Sequence, residues 1–530
     1  MSSEHFVRHA RTFAGLTLIS RVLGLARDAV IVRTLGVSGL QTAFNIAFQL
    51  PNTFRRLFGE GALSAAFIPE YAQTLKRDPE LSHRFASLTI AIMSIALGAL
   101  VLILELILLA VLALATLSDN GRIALILLMI MLPYMPLICI TAALGGMLQT
   151  HARFAAQAGA PIILNLCMIA AALGTGWILK LPATSTAIAV AISVTIAGFL
   201  QTAWCLRDLR GIITWSRAFH GASHSVRRMF RKMGPLVLGL GTQQIATLIE
   251  SWVILAWPLY FGATIFGIAY PLDETAGAAL VAAQRLYQFP LGIFGIALAT
   301  AAFPLLAKQA DEPDKFAATL RRGIRLALFI GVPATLGMIW VARDLTAVIF
   351  MGGKVTPADA MRMASCLIAY AALVGTYSVT HVITRAFYAK SDTRTPTIIS
   401  IITVILGLAL GFALMFKWHE QGLAYGSSLA AAVQLAMLLI LAQKRLGPTS
   451  GSLIDRATAL AIVRITIAAA AMLTILFALD QLWPAEEIMT WRNHLIRLII
   501  ACSTGAAAYT AAAFFLCREE IRWSTERHPK

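Results

Sequence analysis

Several arginines in this chain stand inside apolar stretches. Residues 20 to 36 read SRVLGLARDAVIVRTLG and carry Arg21, Arg27, Asp28 and Arg33. Residues 49 to 61, QLPNTFRRLFGEG, add Arg55, Arg56 and Glu60. Residues 281 to 295, VAAQRLYQFPLGIFG, place Arg285 just before Pro290. Each such charge at the centre of a bilayer costs roughly 2.5–3.5 kcal/mol on insertion scales, so it must serve a cavity or a partner. Cations exceed acids here, since Asp28, Glu60 and, further off, Glu105 and Glu250 are the nearby carboxylates. The chemistry implied is anion binding. Arginine suits phosphate, because its planar fork donates two parallel hydrogen bonds to phosphate oxygens. Arg21, Arg27, Arg55 and Arg285 are therefore the candidate anion ligands.

Spacing suggests local pairings. Arg21 and Asp28 are seven residues apart, nearly one helical face, so an internal ion pair is expected. Arg27 lies about 120° from Arg21 on a straight helix, and Gly24 between them could bend the helix and bring both to one wall. Arg56 and Glu60 have i,i+4 spacing, which reads as a structural salt bridge. Arg55 has no obvious local partner in the sequence. Arg385, in THVITRAFYAKSDTRTP, is expected to snorkel towards the membrane surface.

The elements that hold these residues must be membrane spans. The chain has 530 residues, 58% hydrophobic and 13% charged, with a mean hydropathy of +0.77. A soluble chain of this length would need more polar surface. Apolar runs of about 20 residues recur, each long enough to cross a hydrocarbon core of roughly 30 Å. They predict about fourteen transmembrane helices, centred near residues 23, 50, 98, 135, 167, 194, 246, 290, 331, 375, 405, 431, 468 and 505.

The net charge of +17 sorts by loop. The segments 1–13, 70–84, 150–156, 207–232, 308–325, 388–395, 443–457 and 518–530 hold 27 of the 43 Lys and Arg residues. That is the positive-inside pattern, and it puts both termini in the cytoplasm with an even number of spans. It also argues against a nucleic-acid partner. The N-terminus lacks a clear cleavage site, so the first span is expected to be retained. The six cysteines lie mostly in apolar runs without a CxxC pair, and no zinc or disulfide framework is expected. His220 and His224 share i,i+4 spacing in a basic loop without a neighbouring carboxylate, which reads as a solvated face.

A repeat organises the chain. Residues 58–67, FGEGALSAAF, align without a gap with residues 294–303, FGIALATAAF, and Pro69 and Pro304 follow. Six predicted spans separate the copies, so both run in the same direction, as in parallel repeats. The expected organisation is two six-helix lobes around a central cavity, 1–233 and 234–445, with two further helices and a tail in 446–530.

SRVLGLARDAV, FQLPNTFRRLFGEGALSAAFIPEYA, KMGPLVLG, QRLYQFPLGIFGIAL and FYAKSDTRTP, in this order, resemble the MurJ (MviN) family. That family belongs to the multidrug/oligosaccharidyl-lipid/polysaccharide exporter superfamily. The resemblance implies fourteen spans, a V-shaped cavity, and flipping of lipid II, the undecaprenyl-diphosphate-linked peptidoglycan precursor, across the bacterial inner membrane. It implies no enzymatic activity, and links to the cell-wall synthesis machinery as partners. By motif, the family's arginines fall on Arg21, Arg27, Arg55 and Arg285, with Glu60 the nearby acid. It also implies that the last two spans form a groove for the lipid tail.

The chain departs from the pattern at Thr42, where many relatives carry Asp, and at Gln284 and Gln288, where acids often flank the arginine. The cavity is then expected to be more cationic. The expected mechanism is alternating access without covalent chemistry or a cofactor. Energy would come from membrane potential or a coupling cation, sodium or proton, with Glu250 in the seventh span the candidate for coupling. A flippase for another polyprenyl-diphosphate glycan, a drug exporter, a membrane enzyme and an inactive scaffold are the alternatives. A cation exporter would need an acidic cavity. An enzyme would need paired acids on a large outer loop, whereas the longest here is roughly 20 residues and carries only the DE at 273–274.

Overall fold

The computed structural model describes residues 3–59, 61–292, 296–448, 451–483 and 490–525. The chain folds into helices joined by short connections. In order they are α1 (Ser3–Leu35), α2 (Gly39–Phe54), α3 (Ala62–Arg77), α4 (Pro79–Leu114), α5 (Asp119–Met131), α6 (Tyr134–Thr150), α7 (Ala155–Ala172), α8 (Ala183–Asp208) and α9 (Ala222–Ile249). After the short α10 (Trp257–Tyr260) comes a two-residue-stranded hairpin, Thr264–Ile265 paired antiparallel with Ile268–Ala269. Then follow α11 (Ala276–Pro290), α12 (Ile296–Lys308), α13 (Pro313–Phe350), α14 (Pro357–Ala389), α15 (Arg394–Leu446), α16 (Arg456–Leu482), α17 (Trp491–Leu516) and α18 (Arg518–Thr525).

Nine helical segments among the described residues are long and apolar enough to cross a membrane. The chain is a predominantly helical, polytopic membrane protein. One of the nine, α15, has 53 residues, about 80 Å at 1.5 Å per residue, far more than one crossing needs. Its helical path breaks at Trp418 and His419, where His419 takes φ 49°. Beyond the break the chain folds back tightly. A Cβ on Gly422 would lie 2.4 Å from the Leu414 carbonyl, and one on Gly426 would lie 2.3 Å from the Gly411 nitrogen. α15 thus contains the predicted eleventh and twelfth spans, packed through glycine contacts.

The predicted second span is an interrupted helix. α2 ends in a π-helical turn, Arg55–Gly59, and helix resumes as α3 at Ala62. In the predicted eighth span α11 runs to Pro290, residues 291 and 292 are π-helical, and α12 begins at Ile296. The first copy of the repeated Phe-Gly sequence lies in the π-helical turn that ends α2, and the second, at 294–295, lies outside the described residues. A proline, Pro69 or Pro304, sits inside the helix that follows.

The chain forms two compact units, Met1–Ala278 and Ala279–Lys530, with the boundary inside the first turn of α11. The first unit reaches past residue 233 because α9 packs on α3 and α4. There the buried Glu70 accepts from Lys232 at 3.2 Å and pairs with Arg228 at 3.4 Å. Its core is aromatic and sulfur-rich: Phe44, Phe67, Tyr71, Phe85, Tyr134 and Met147 are buried. In the second unit, Phe316, Ile383 and Phe387 anchor one core, and Ile465, Met472 and Tyr509 anchor another where α13 meets α16 and α17.

Candidate functional site

The site is built on α1. Its helix continues through Gly24 without a break, from Ser3 to Leu35. α7 packs along it, and the buried Asn165 of α7 faces α1. Asn165 Nδ2 donates to the Ser20 carbonyl at 3.0 Å. Arg27 Nη1 donates to Asn165 Oδ1, also at 3.0 Å. One asparagine therefore joins the backbone and the guanidinium of α1 across 138 residues of sequence.

Arg27 also holds Asp28. Its Nε and Nη2 both donate to Asp28 Oδ1, at 2.9 and 2.6 Å. The expected Arg21–Asp28 pair gives way to this neighbouring one, because the Arg27 side chain folds back onto Asp28 while Arg21 is exposed. The guanidinium carbon lies 5.7 Å from the ring centroid of Phe48 on α2, within cation–π range. Among the described residues, three N–H groups of Arg27 are engaged out of the five that arginine carries, which leaves donors for an anion.

Arg55 begins the π-helical turn that ends α2. Its Nε donates to Asn52 Oδ1 at 3.1 Å, so it has the local partner that the sequence did not suggest. Asn52 is buried, and Pro51 precedes it within the helix. The buried Tyr134 of α6 lies within electrostatic reach of both Arg55 and Arg27. In the first unit, Arg27 thus lies against Phe48 and Asn165, and Arg55 against Asn52. π-helical turns occur often at functional sites, because they re-aim the side chains that follow. Arg56 lies in the same turn and is half-buried. Glu60, its expected partner, lies outside the described residues.

Arg285 belongs to the second unit, half-buried on α11. Its neighbour Gln284 donates to the Tyr370 hydroxyl at 2.9 Å, and the Tyr287 and Tyr370 rings are 5.1 Å apart. Gln288 is half-buried one turn on. Arg385 places its guanidinium carbon 5.7 Å from the Phe303 ring centroid.

Thr42 is fully buried and has a structural task. Its Oγ1 accepts from the backbone N–H of Ala278 at 3.0 Å. That N–H is among the first-turn donors of α11, which have no acceptor within their own helix. Gly277 fits only because it lacks a Cβ, which would lie 2.6 Å from Thr42 Cγ2. A hydroxyl is sufficient for this cap, and no carboxylate is required.

Glu250 opens another π-helical turn, Glu250–Leu255, at the end of α9. Its Oε1 is buried with no hydrogen-bond partner among the described residues.

Sequence reasoning missed Asn52, Phe48, Tyr134 and Asn165. Asn165 left a faint signal, a lone amide in the apolar run PIILNLCMIA. The aromatic residues left none, because they read as ordinary core.

The sequence and the fold have counterparts in known proteins. The family described as "Lipid II flippase MurJ" matches residues 31–495. The "Probable lipid II flippase MurJ" of Rickettsia prowazekii (strain Madrid E) is 30% identical over 435 residues, covering 80% of this chain and 81% of its own. Its namesake from Vibrio cholerae serotype O1 is 29% identical over 544 residues, covering 97% of both chains. Among solved structures, "Lipid II flippase MurJ, inward closed conformation" superposes with a TM-score of 0.76 at 23% identity, covering 96% of this chain and 99% of its own. An inward-facing multidrug resistance MATE family transporter of the MOP superfamily superposes with a TM-score of 0.63 at 15% identity, covering 82% and 98%. The sequence resemblance and the fold therefore agree, and the chain belongs to the lipid II flippase MurJ family.

Proposed function

We propose that this protein moves lipid II from the inner to the outer leaflet of a bacterial inner membrane, and that the arginine cluster of the first unit receives the diphosphate. The observation that carries this reading is Arg27. It is 11% exposed, oriented by Asp28 and Asn165, and has N–H donors without an acceptor among the described residues. A guanidinium fixed before the ligand arrives loses little entropy on binding it. Arg55 supplies a second cation, and Arg21 and Arg285 are further contacts for the headgroup. The chain crosses the membrane fourteen times with both termini in the cytoplasm, and α16 and α17 lie beside the lipid tail.

Transport proceeds by alternating access, with no covalent step. Charge pairing with the diphosphate offsets repulsion among the arginines, which favours closure over the loaded state. Glu250, whose buried Oε1 has no hydrogen-bond partner among the described residues, is the candidate for coupling to sodium, to protons or to the membrane potential. The cell-wall synthesis machinery is the expected partner that consumes the product.

Binding tests the cluster. Purified chain is mixed with lipid II, undecaprenyl diphosphate or undecaprenyl monophosphate, and bound lipid is counted by native mass spectrometry. The reading predicts that both diphosphates outcompete the monophosphate, and that Arg27→Ala removes the preference. Equal retention of all three by intact chain and variant would contradict it. A preference for the bare diphosphate over lipid II would favour a flippase for a different glycan.

A further inference from the structure

Beyond the arginine cluster, the most unusual surface lies at the end of α9 remote from the basic loop. Residues 251–272 contain no Asp, Glu, Lys, Arg or His, and they include six aromatic residues. The hairpin here turns through Phe266 and Gly267, with φ of 50° and 80°. A two-residue turn with both φ positive favours Asn-Gly or Asp-Gly, because a bulky side chain is strained in the left-handed region. This turn instead carries phenylalanine, and Phe266 is 96% exposed. Phe261 and Ile268 beside it are exposed as well.

The apolar tip is held rigidly. Trp257 Nε1 donates to the Thr264 carbonyl at 3.0 Å, and the Tyr270 hydroxyl donates to the Ile254 carbonyl at 2.8 Å. Trp257 stacks on Tyr270 with ring centroids 5.7 Å apart. Ser118 Oγ ties α10 to α5 through the Leu259 carbonyl at 2.7 Å. A strained backbone persists where its surroundings over-determine it, and such strain accompanies a task for the side chain.

We infer that the 264–269 hairpin with Phe261 is a wedge seated in the headgroup–acyl boundary of the outer leaflet. Phe261, Phe266 and Ile268 offer no hydrogen bond and no charge, which is the chemistry of a hydrocarbon boundary. Trp257 and Tyr270 stand just behind them, the residue types enriched at membrane interfaces. The tip also continues the exposed apolar row Ile245, Ile249 and Val253 along the same span. The wedge fixes the depth of the outer end of the seventh span. The inference rests on the membrane orientation proposed above and not on the identity of the transported lipid.

A photoreactive benzophenone side chain at position 266 of the full chain tests this, in native membranes and in phosphatidylethanolamine–phosphatidylglycerol vesicles. Position 106, in the exposed apolar part of α4, is the lipid-facing control. The wedge predicts phospholipid-mass adducts at both positions. A polypeptide adduct at 266 in native membranes overturns it in favour of a protein partner. So does the lack of a lipid adduct at 266 when position 106 gives one. A second variant, Phe266→Asn, suits the left-handed backbone. It is expected to fold in detergent yet gain less melting temperature than the intact chain on transfer to vesicles. An equal gain would overturn the wedge.

Discussion

Arg27 is the residue on which the account turns, and its geometry separates charge from shape. Lysine would keep the charge but lose the fork that spans Asp28 and Asn165. Arg27→Lys is therefore expected to lower transport at least tenfold, about 1.4 kcal/mol, with protein level unchanged. Asn165→Ala leaves the charge but frees the guanidinium and the Ser20 carbonyl. Hydrogen bonds to charged groups are worth about 1.5–3 kcal/mol, so a loss of similar size is expected in the same transport assay. Arg27 and Arg55 were legible from sequence, because a guanidinium in an apolar run demands a reason. Their partners were not. Asn165 is 138 positions away from Arg27, and no spacing rule reaches that far. The Arg21–Asp28 expectation failed for a related reason. Helical phase permits a pair at seven residues but does not forbid a flexible side chain from folding onto its neighbour.

At the scale of elements, polar contacts decide how the helices dock. Thr42 caps the first turn of α11 from α2, so Thr42→Val should cost about 0.5–2 kcal/mol, read as a lowered melting temperature in detergent. The short α18 is fastened to α13 by Arg325, which is buried between Glu520 and Glu519 and lies 4.6 Å from the Trp523 ring centroid. Glu520 is buried while Glu519 is largely exposed. Arg325→Met strands a buried carboxylate and should cost about 3–5 kcal/mol, whereas Glu519→Gln should cost less than about 1 kcal/mol. Both can be read from denaturation midpoints. Nothing in the tail sequence REEIRWSTERHPK announced this docking, since its partner lies near residue 325. The loop before α15 adds a pH dependence. Thr395 donates to Asp392 from its hydroxyl and its backbone, and with Arg445 holds the carboxyl below its ordinary range. That stabilisation is complete above the ordinary carboxylate pKa and is lost as pH falls through the lower, folded-state value. The melting-temperature gap between intact chain and Asp392→Asn should close as pH drops through that acid range.

The whole molecule was readable in outline because lipid imposes its own grammar. Apolar length, basic loops and the Phe-Gly repeat fixed the class, and the structure places a helix interruption at the first copy of the repeat. Side-chain packing within a unit obeys no such periodic rule, which is why cluster members on α6 and α7 stayed hidden. The central claim is that the guanidinium of Arg27 serves lipid II transport and not merely the packing of α1. The direct measurement is lipid II exposed on the periplasmic face of a bacterium depleted of its resident flippase. Intact chain, Arg27→Ala and Arg325→Met are expressed at matched levels. The account predicts that the intact chain restores exposure, that Arg27→Ala abolishes it, and that Arg325→Met retains it in proportion to folded protein. Full exposure with Arg27→Ala, or none with a well-inserted intact chain, would contradict it.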